Sequence, residues 1–266
     1  MPNSLKIYNA ILAKEIQRFF TYRGNLFAGG ITGLLMLAAR YALWAALFAT
    51  DAVGDATLTE TMTFFVINDM LLVWLASSYG DTIGRDIETG DIALHLTRPY
   101  PYHLQVIAAF HSTAVTDTIT RALPMLVAAL VFIGLMPPVS PIAFIVFIAA
   151  LILGGIIYSL IDFIISYTAF WLTKYWYLAW FKRALFVLFG GLMLPLWFYP
   201  DWLRAICEVL PFQFAIFMPI SIFLGRVSAA DAGGVILMQL FWIAVLFLCE
   251  RALWWFARYK LVVQGG

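Results

Sequence analysis

"IAFIVFIAALILGGIIYSLIDFIISYTAFWL", residues 142–172, carries a single charged side chain, Asp162. A helix needs about 20 largely apolar residues to cross the hydrocarbon of a bilayer. This run is longer than that, so it predicts a spanning helix that tilts or projects from the membrane. The rest of the chain has the same character. Its 266 residues are 64% hydrophobic, 17% aromatic and 12% charged, whereas a soluble domain carries about twice that charge fraction. No soluble core of this length could hide so much apolar side chain. The fold class that follows is an all-α membrane protein.

Working outward, six segments qualify as transmembrane helices, at roughly 25–49, 60–80, 112–135, 142–172, 183–199 and 233–256. The loops are too short to fold alone, and no internal repeat or linker divides the chain, so residues 1–266 form one membrane domain. An even number of spans puts both termini on one side. Lys6, Lys14, Arg18, Arg23, Arg85, Arg98, Lys174, Lys182, Arg183, Arg251, Arg258 and Lys260 fall on that side, against Arg204 and Arg226 on the other. The first loop of the other side, "TDAVGDATLTE", is acidic. The bias of basic residues toward the cytoplasm therefore makes both termini cytoplasmic. A net charge of +1 gives no reason to expect a nucleic-acid partner.

Two segments outside the spans have a pattern of their own. Over residues 4–22, Leu5, Tyr8, Leu12, Ile16 and Phe19 recur at helical spacing among Lys6, Lys14, Gln17 and Arg18. Such a helix lies along the inner interface, in contact with membrane lipid. Tyr199–Asp231 is apolar but interrupted by Pro200, Pro211 and Pro219. Proline in a helix interior removes a hydrogen bond and clashes with the preceding turn, so this stretch reads as broken helices dipping into the outer leaflet, their backbone shielded by protein.

Charges within spans need partners, because a lone one costs at least about 3 kcal/mol. Arg40 and Asp69 both fall about 13 Å below the outer boundary at 1.5 Å per residue, which predicts a pair or a shared polar cavity. Asp117 and Arg121, four apart, share a helix face, and Asp162 falls at a similar inner depth. These three form either a structural charge cluster, favoured by the near balance of acids and bases, or the relay of an ion-coupled secondary transporter. Gly29, Gly30, Gly33, Gly190 and Gly191 permit close helix approach, either within one subunit or at a dimer face.

Motifs for chemistry are missing. There is no GxxxxGK[ST] phosphate loop, so the chain itself is not expected to hydrolyse nucleotide. HExxH, CxxC and GxSxG are absent, as is a filter of the TVGYG type. His95, His103 and His111 are eight residues apart, too far to share a metal ion. Cys207 and Cys249 read as two unpaired thiols.

Between the second and third spans lies "GRDIETGDIALHLTRPYPYH", Gly84–His103. It parses as a short helix bounded by Gly84 and Gly90, an apolar row of Ile92, Leu94 and Leu96, and a stop at Arg98-Pro99, where proline pushes its predecessor out of helical geometry. An acidic and apolar knob held just below the bilayer is a docking surface for a cytoplasmic partner.

Glu88-Thr89-Gly90-Asp91-Ile92 followed by Leu96-Thr97-Arg98-Pro99 resembles the first cytoplasmic loop of ABC-2 type exporter permeases, the subgroup annotated with daunorubicin-resistance permeases above all. The amphipathic N-terminal helix, the "LPFQFAIFMPISIFLG" stretch at Leu210–Gly225 and the basic tail "RYKLVVQGG" extend the likeness over the whole chain. The resemblance implies the membrane subunit of an exporter in a bacterial inner membrane, moving an amphipathic drug, peptide or lipid-like compound. It implies a second permease copy or paralogue, and two copies of a cytoplasmic ABC ATPase that hold the ATP and Mg. Glu88, Asp91, Leu94, Leu96 and Arg98 would contact that ATPase. Dimer contacts would involve spans one and five, with Gly29, Gly33, Gly190 and Gly191 as candidates.

Overall fold

The computed structural model describes residues 8–14, 17, 23–50, 55–76, 79–97, 102–168, 171 and 176–257. Among these, every regular element is helical. Five helices are long and apolar enough to cross a membrane: Phe27–Phe48, Leu58–Leu75, Gln105–Phe132, Pro141–Tyr167 and Asp231–Phe256. The chain is a multi-pass membrane protein.

Helix α1 runs over Arg23–Phe48 and α2 over Leu58–Ala76. The start of α2 is fixed by a capping box: Thr57 Oγ1 accepts from the Glu60 backbone N–H at 3.1 Å, and Glu60 Oε2 accepts from the Thr57 N–H at 3.4 Å. Two of the backbone donors that a helix start leaves open are thereby satisfied. Two short helices follow, α3 at Tyr79–Thr89 and α4 at Asp91–Leu96. Helix α5 spans Tyr102–Asp117, passes through a π-helical turn at Thr118–Ala122, and continues as α6, Leu123–Phe132. Pro124 at the start of α6 has no N–H to donate to the turn before it, and the wider i→i+5 turn lies directly upstream. The third crossing therefore begins well before residue 112.

Helix α7, Pro141–Tyr167, starts at Ser140, whose Oγ accepts from the Ala143 N–H at 3.1 Å. The final helix, α12, covers Ala229–Ala257, and Ser228 caps it through the Asp231 N–H at 3.1 Å. These two long helices pack side by side and parallel. Gln239 Nε2 donates to Ala150 O at 2.9 Å near their first third, and Tyr167 donates to Glu250 Oε1 at 3.1 Å near their last turns. Residues 168–228 must therefore return from the far end of α7 to the start of α12.

That return corrects the sequence reading. A continuous helix was expected over 183–199, but α8 is Trp176–Phe189, only 14 residues, or about 21 Å. Gly191, at φ 76°, adopts the left-handed conformation that ends a helix. Irregular backbone and a 3₁₀ turn at Leu196–Phe198 then carry the chain on to Pro200. This stretch is not left bare. The buried Asn68 donates through Nδ2 to Leu192 O at 3.0 Å, and the Tyr199 hydroxyl donates to Val187 O at 3.4 Å.

Beyond Pro200 lie α9 (Asp201–Val209), α10 (Phe212–Ala215) and α11 (Phe217–Phe223). Pro200 and Pro211 each precede a helix, and Pro219 sits in the first turn of α11, where its missing N–H has no intrahelical acceptor to lose. The run from Gln213 to Phe217, with Ile220, Ser221 and Ile222, is buried and forms the centre of the core. Gly154 of α7 makes this possible: a Cβ there would lie 2.5 Å from Ala215 O. Gln239 of α12 ties the same layer together by a second bond, to Phe214 O at 2.8 Å. Above it, Trp44, Phe64, Trp197, Phe198 and Phe217 stack or meet edge to face, with Trp44 and Phe198 centroids 5.0 Å apart.

Candidate functional site

Two regions combine charge with unusual geometry. The first is the knob formed by α3 and α4. Gly84 does not bound a helix there; it is buried inside α3. The break falls at Gly90, whose φ of 79° needs no Cβ penalty. Ile92, Leu94 and Leu96, the apolar row, belong to a helical turn. Thr89 Oγ1 donates to Asp91 Oδ2 at 2.8 Å across the break, which sets the angle between the two helices.

Beneath the break three helices are joined at one carboxylate. Tyr102, at the start of α5, donates to Asp86 Oδ2 of α3 at 2.5 Å, and His95 Nε2 of α4 lies 3.7 Å from the same oxygen. The His95 and Tyr102 rings lie 5.5 Å apart. Burial first, and then the Asp86 hydrogen bond and charge, push the Tyr102 phenol far above its usual range. The phenol is thus held as a donor. Helix α3 also packs on α7 and α8, so the knob is rigidly attached to the membrane bundle. Its outer surface presents Glu88, Asp91 and Leu94, the last 66% exposed. Leu96 lies in α4, while its side chain and the whole of Arg98 fall outside the described residues. So does most of the expected interfacial helix at 4–22; residues 8–14 are helical, and the Tyr8 ring meets His111 of α5 edge-on at 6.1 Å. Asp86, His95 and Tyr102 escaped the sequence reading. Asp86 follows Ile83 by one turn, a signal that emerges only once α3 is read as helical from Tyr79.

The second region is an open cleft of about 790 Å³ in the side of the bundle, bordered by α1, α2, the α5–α6 rod, α7 and α8. Arg40, Asp69, Asp117 and Arg121 all reach it. Arg40 Nη1 donates to Asp69 Oδ2, and its guanidinium lies 4.6 Å from the Phe65 ring centroid. Asp117 precedes the π-helical turn and Arg121 lies within it, one turn apart and near enough to interact electrostatically, with no direct ion-pair contact between them among the described residues. Asp162 does not join them. It accepts from Lys182 Nζ of α8 at 2.6 Å, with both side chains almost closed to solvent. Lys182 is accordingly not a residue of a cytoplasmic loop: α8 begins at Trp176, and Lys182 lies nearly two turns inside it.

The glycines have defined neighbours within the chain. A Cβ on Gly29 would meet the Arg121 side chain at 3.4 Å, on Gly30 the Thr120 carbonyl at 3.3 Å, and on Gly33 the Arg121 carbonyl at 3.5 Å. These three let α1 lie against the π-helical turn. Gly190 and Gly191 close α8. Cys207 is buried and Cys249 exposed, both as free thiols.

The model for one protein family, described as ABC-2 family transporter protein, matches residues 34–265. No curated protein matches the chain at a significant level.

Proposed function

The chain belongs to the ABC-2 transporter family, and from that membership we propose that it is the permease subunit of an ATP-driven exporter, with ATP hydrolysed by a separate cytoplasmic subunit. The observation that carries this reading is the α3–α4 knob, which is braced on α7 and α8 yet turns Glu88, Asp91 and the exposed Leu94 outward. A rigid lever with an acidic and apolar tip suits an ATPase groove. In this reading two ATPase copies with bound ATP and Mg engage two permeases, identical or paralogous. Helices α1 and α8 both border the cleft and carry exposed apolar side chains, among them Phe27, Ile31, Leu35, Trp180 and Phe181. A second permease would cover those faces. The likeness to daunorubicin-resistance permeases, the bacterial inner membrane, the outer-leaflet position of α9–α11 and cytoplasmic termini belong to the same proposal. So does a sixth crossing, made by α8 and the irregular segment after it.

An ion-coupled carrier using Asp117, Arg121 and Asp162 is less well supported, because Asp162 is engaged by Lys182 instead. To test the exporter reading, the chain is co-expressed with the ABC ATPase encoded beside it and purified through a tag on the permease. Co-purification of the ATPase, and its loss or uncoupled hydrolysis in Glu88→Lys/Leu94→Asp, is the expected result. An ATPase that fails to co-purify, with a silent loop change, refutes it.

A further inference from the structure

Of the charged groups facing the cleft, Arg40 is matched by Asp69, and Lys182 by Asp162 from behind the wall. Asp117, Arg121 and Arg183 also face it and form no ion pair among the described residues. Two guanidinium forks against one carboxylate leave this wall cationic. The remainder is largely apolar and is bordered by Met36, Leu72, Val73, Trp180 and Met193.

Arg121 is the residue that demands an explanation. In the span Gln105–Phe132 it lies 11 residues from the nearer end, about 16 Å at 1.5 Å per residue. Its side chain is too short to reach a headgroup region from there. Asp117 offsets part of its charge from one helical turn away, but a guanidinium held at that depth beside a cleft marks a ligand path. The π-helical turn presents it: the widened backbone at Thr118–Ala122 is packed against Gly29, Gly30 and Gly33, and turns of this kind recur at functional sites. Guanidinium groups hold carboxylate and phosphate oxygens through paired N–H donors.

We propose that the cleft binds the phosphate or carboxylate group of an amphiphile, held by Arg121 and Arg183, with its hydrocarbon chain along the apolar wall. This deepens the exporter reading by naming its substrate class and rests on it for the word substrate; the binding itself needs no ATPase. Asp117 opposes the anion from one helical turn away and sets an upper limit on its affinity.

Trp180 in the wall reports occupancy. The purified full chain in phosphatidylcholine nanodiscs is titrated with a dodecyl phosphate carrying bromine on its tail, and with the matching trimethylammonium compound. Quenching that disappears in Trp180→Phe isolates this site from the other tryptophans of the chain, which has 10. Saturable quenching by the phosphate and not by the ammonium compound is expected. Arg121→Gln and Arg183→Gln each weaken it about tenfold, as loss of a charge-assisted hydrogen bond does, whereas Asp117→Asn tightens it roughly threefold by removing like-charge repulsion. A merely structural role for these residues predicts no such opposite signs. Arg121 and Arg183 are both exposed, so each variant is expected to keep the fold, and the two provide independent readings. Nanodiscs containing brominated phosphatidylglycerol distinguish the source: quenching in them identifies a bilayer lipid headgroup, its absence a free amphiphile. Equal binding of both charged probes, or wild-type affinity in both arginine variants, overturns the proposal. An ATPase that does not co-purify, with the binding intact, removes the exporter reading and leaves the anion site standing.

Discussion

Replacing Lys182 with methionine strands Asp162 at a site where the two side chains are 5% and 2% exposed. Removing one member of so closed a pair costs about 3–5 kcal/mol, because the remaining charge loses its ion-pair partner where water hardly reaches. Replacing both members with apolar residues of similar volume is about neutral, since the desolvation penalty of both ions disappears together. The expected pattern is therefore strongly non-additive. Lys182→Met and Asp162→Leu each lower the melting temperature by roughly 10 °C, taking about 2–4 °C per kcal/mol for a chain of this size, and the double variant returns to within a few degrees of wild type. Cys207 provides the assay, as it is buried and free, while the exposed Cys249 is first changed to serine. A thiol-reactive fluorophore then reports exposure of the core during a thermal ramp in detergent. If the double variant melts as low as the sum of the two single losses, the pair is not a coupled unit and the placement of α8 against α7 is wrong.

Other consequences can be read in the same assay. Gly154→Ala puts a methyl group 2.5 Å from Ala215 O and should cost about 1–3 kcal/mol by overpacking; Gly155→Ala, with nothing within 4 Å, should change little. Gln239→Leu removes the side-chain donor that bridges the carbonyls of Ala150 and Phe214 and should cost about 1–3 kcal/mol, and an unchanged melting temperature would refute the bridge. In the knob, Tyr102→Phe removes the hydrogen bond to Asp86. Trypsin cleavage at the exposed Arg85 should accelerate about tenfold as local opening becomes easier by about 1.4 kcal/mol; an unchanged rate would show that the three-helix junction does not hold the loop.

Hydropathy alone located the long helices, because crossing hydrocarbon imposes a length and a composition that few other structures share. The level of Arg40 and Asp69 followed from counting residues to the outer boundary, and the structure brings their side chains together. Lys182 shows where such counting fails. A lysine close to an apolar run is read as an interface residue, yet α8 starts at Trp176 and carries Lys182 to the depth of Asp162. The grouping of Asp162 with Asp117 and Arg121 failed for a related reason: one-dimensional depth says nothing about which helices are neighbours. The π-helical turn left no trace beyond Pro124, since its backbone is set by the glycines of α1 packed against it. In the knob, Ile92, Leu94 and Leu96 read from sequence only as an apolar row, since six residues are too few for periodicity to separate helix from strand. The junction at Asp86 depends on partners 9 and 16 residues away, a relation that only the hinge at Gly90 creates.

The shortness of α8 bears on how the protein is made. An apolar run of 14 residues that includes Lys182 and Arg183 is a poor substrate for insertion machinery that sorts nascent segments by hydrophobicity. Its stabilising partners are synthesised earlier: Asp162 on α7 for its lysine, and Asn68 on α2 for the carbonyl of Leu192 beyond its end. In the six-crossing reading proposed above, the first four apolar segments serve as a template for the fifth, and α12 adds the Gln239 bond to Phe214 O once translation has passed that point. In that reading the order of synthesis matches the order in which the polar partners of α8 become available.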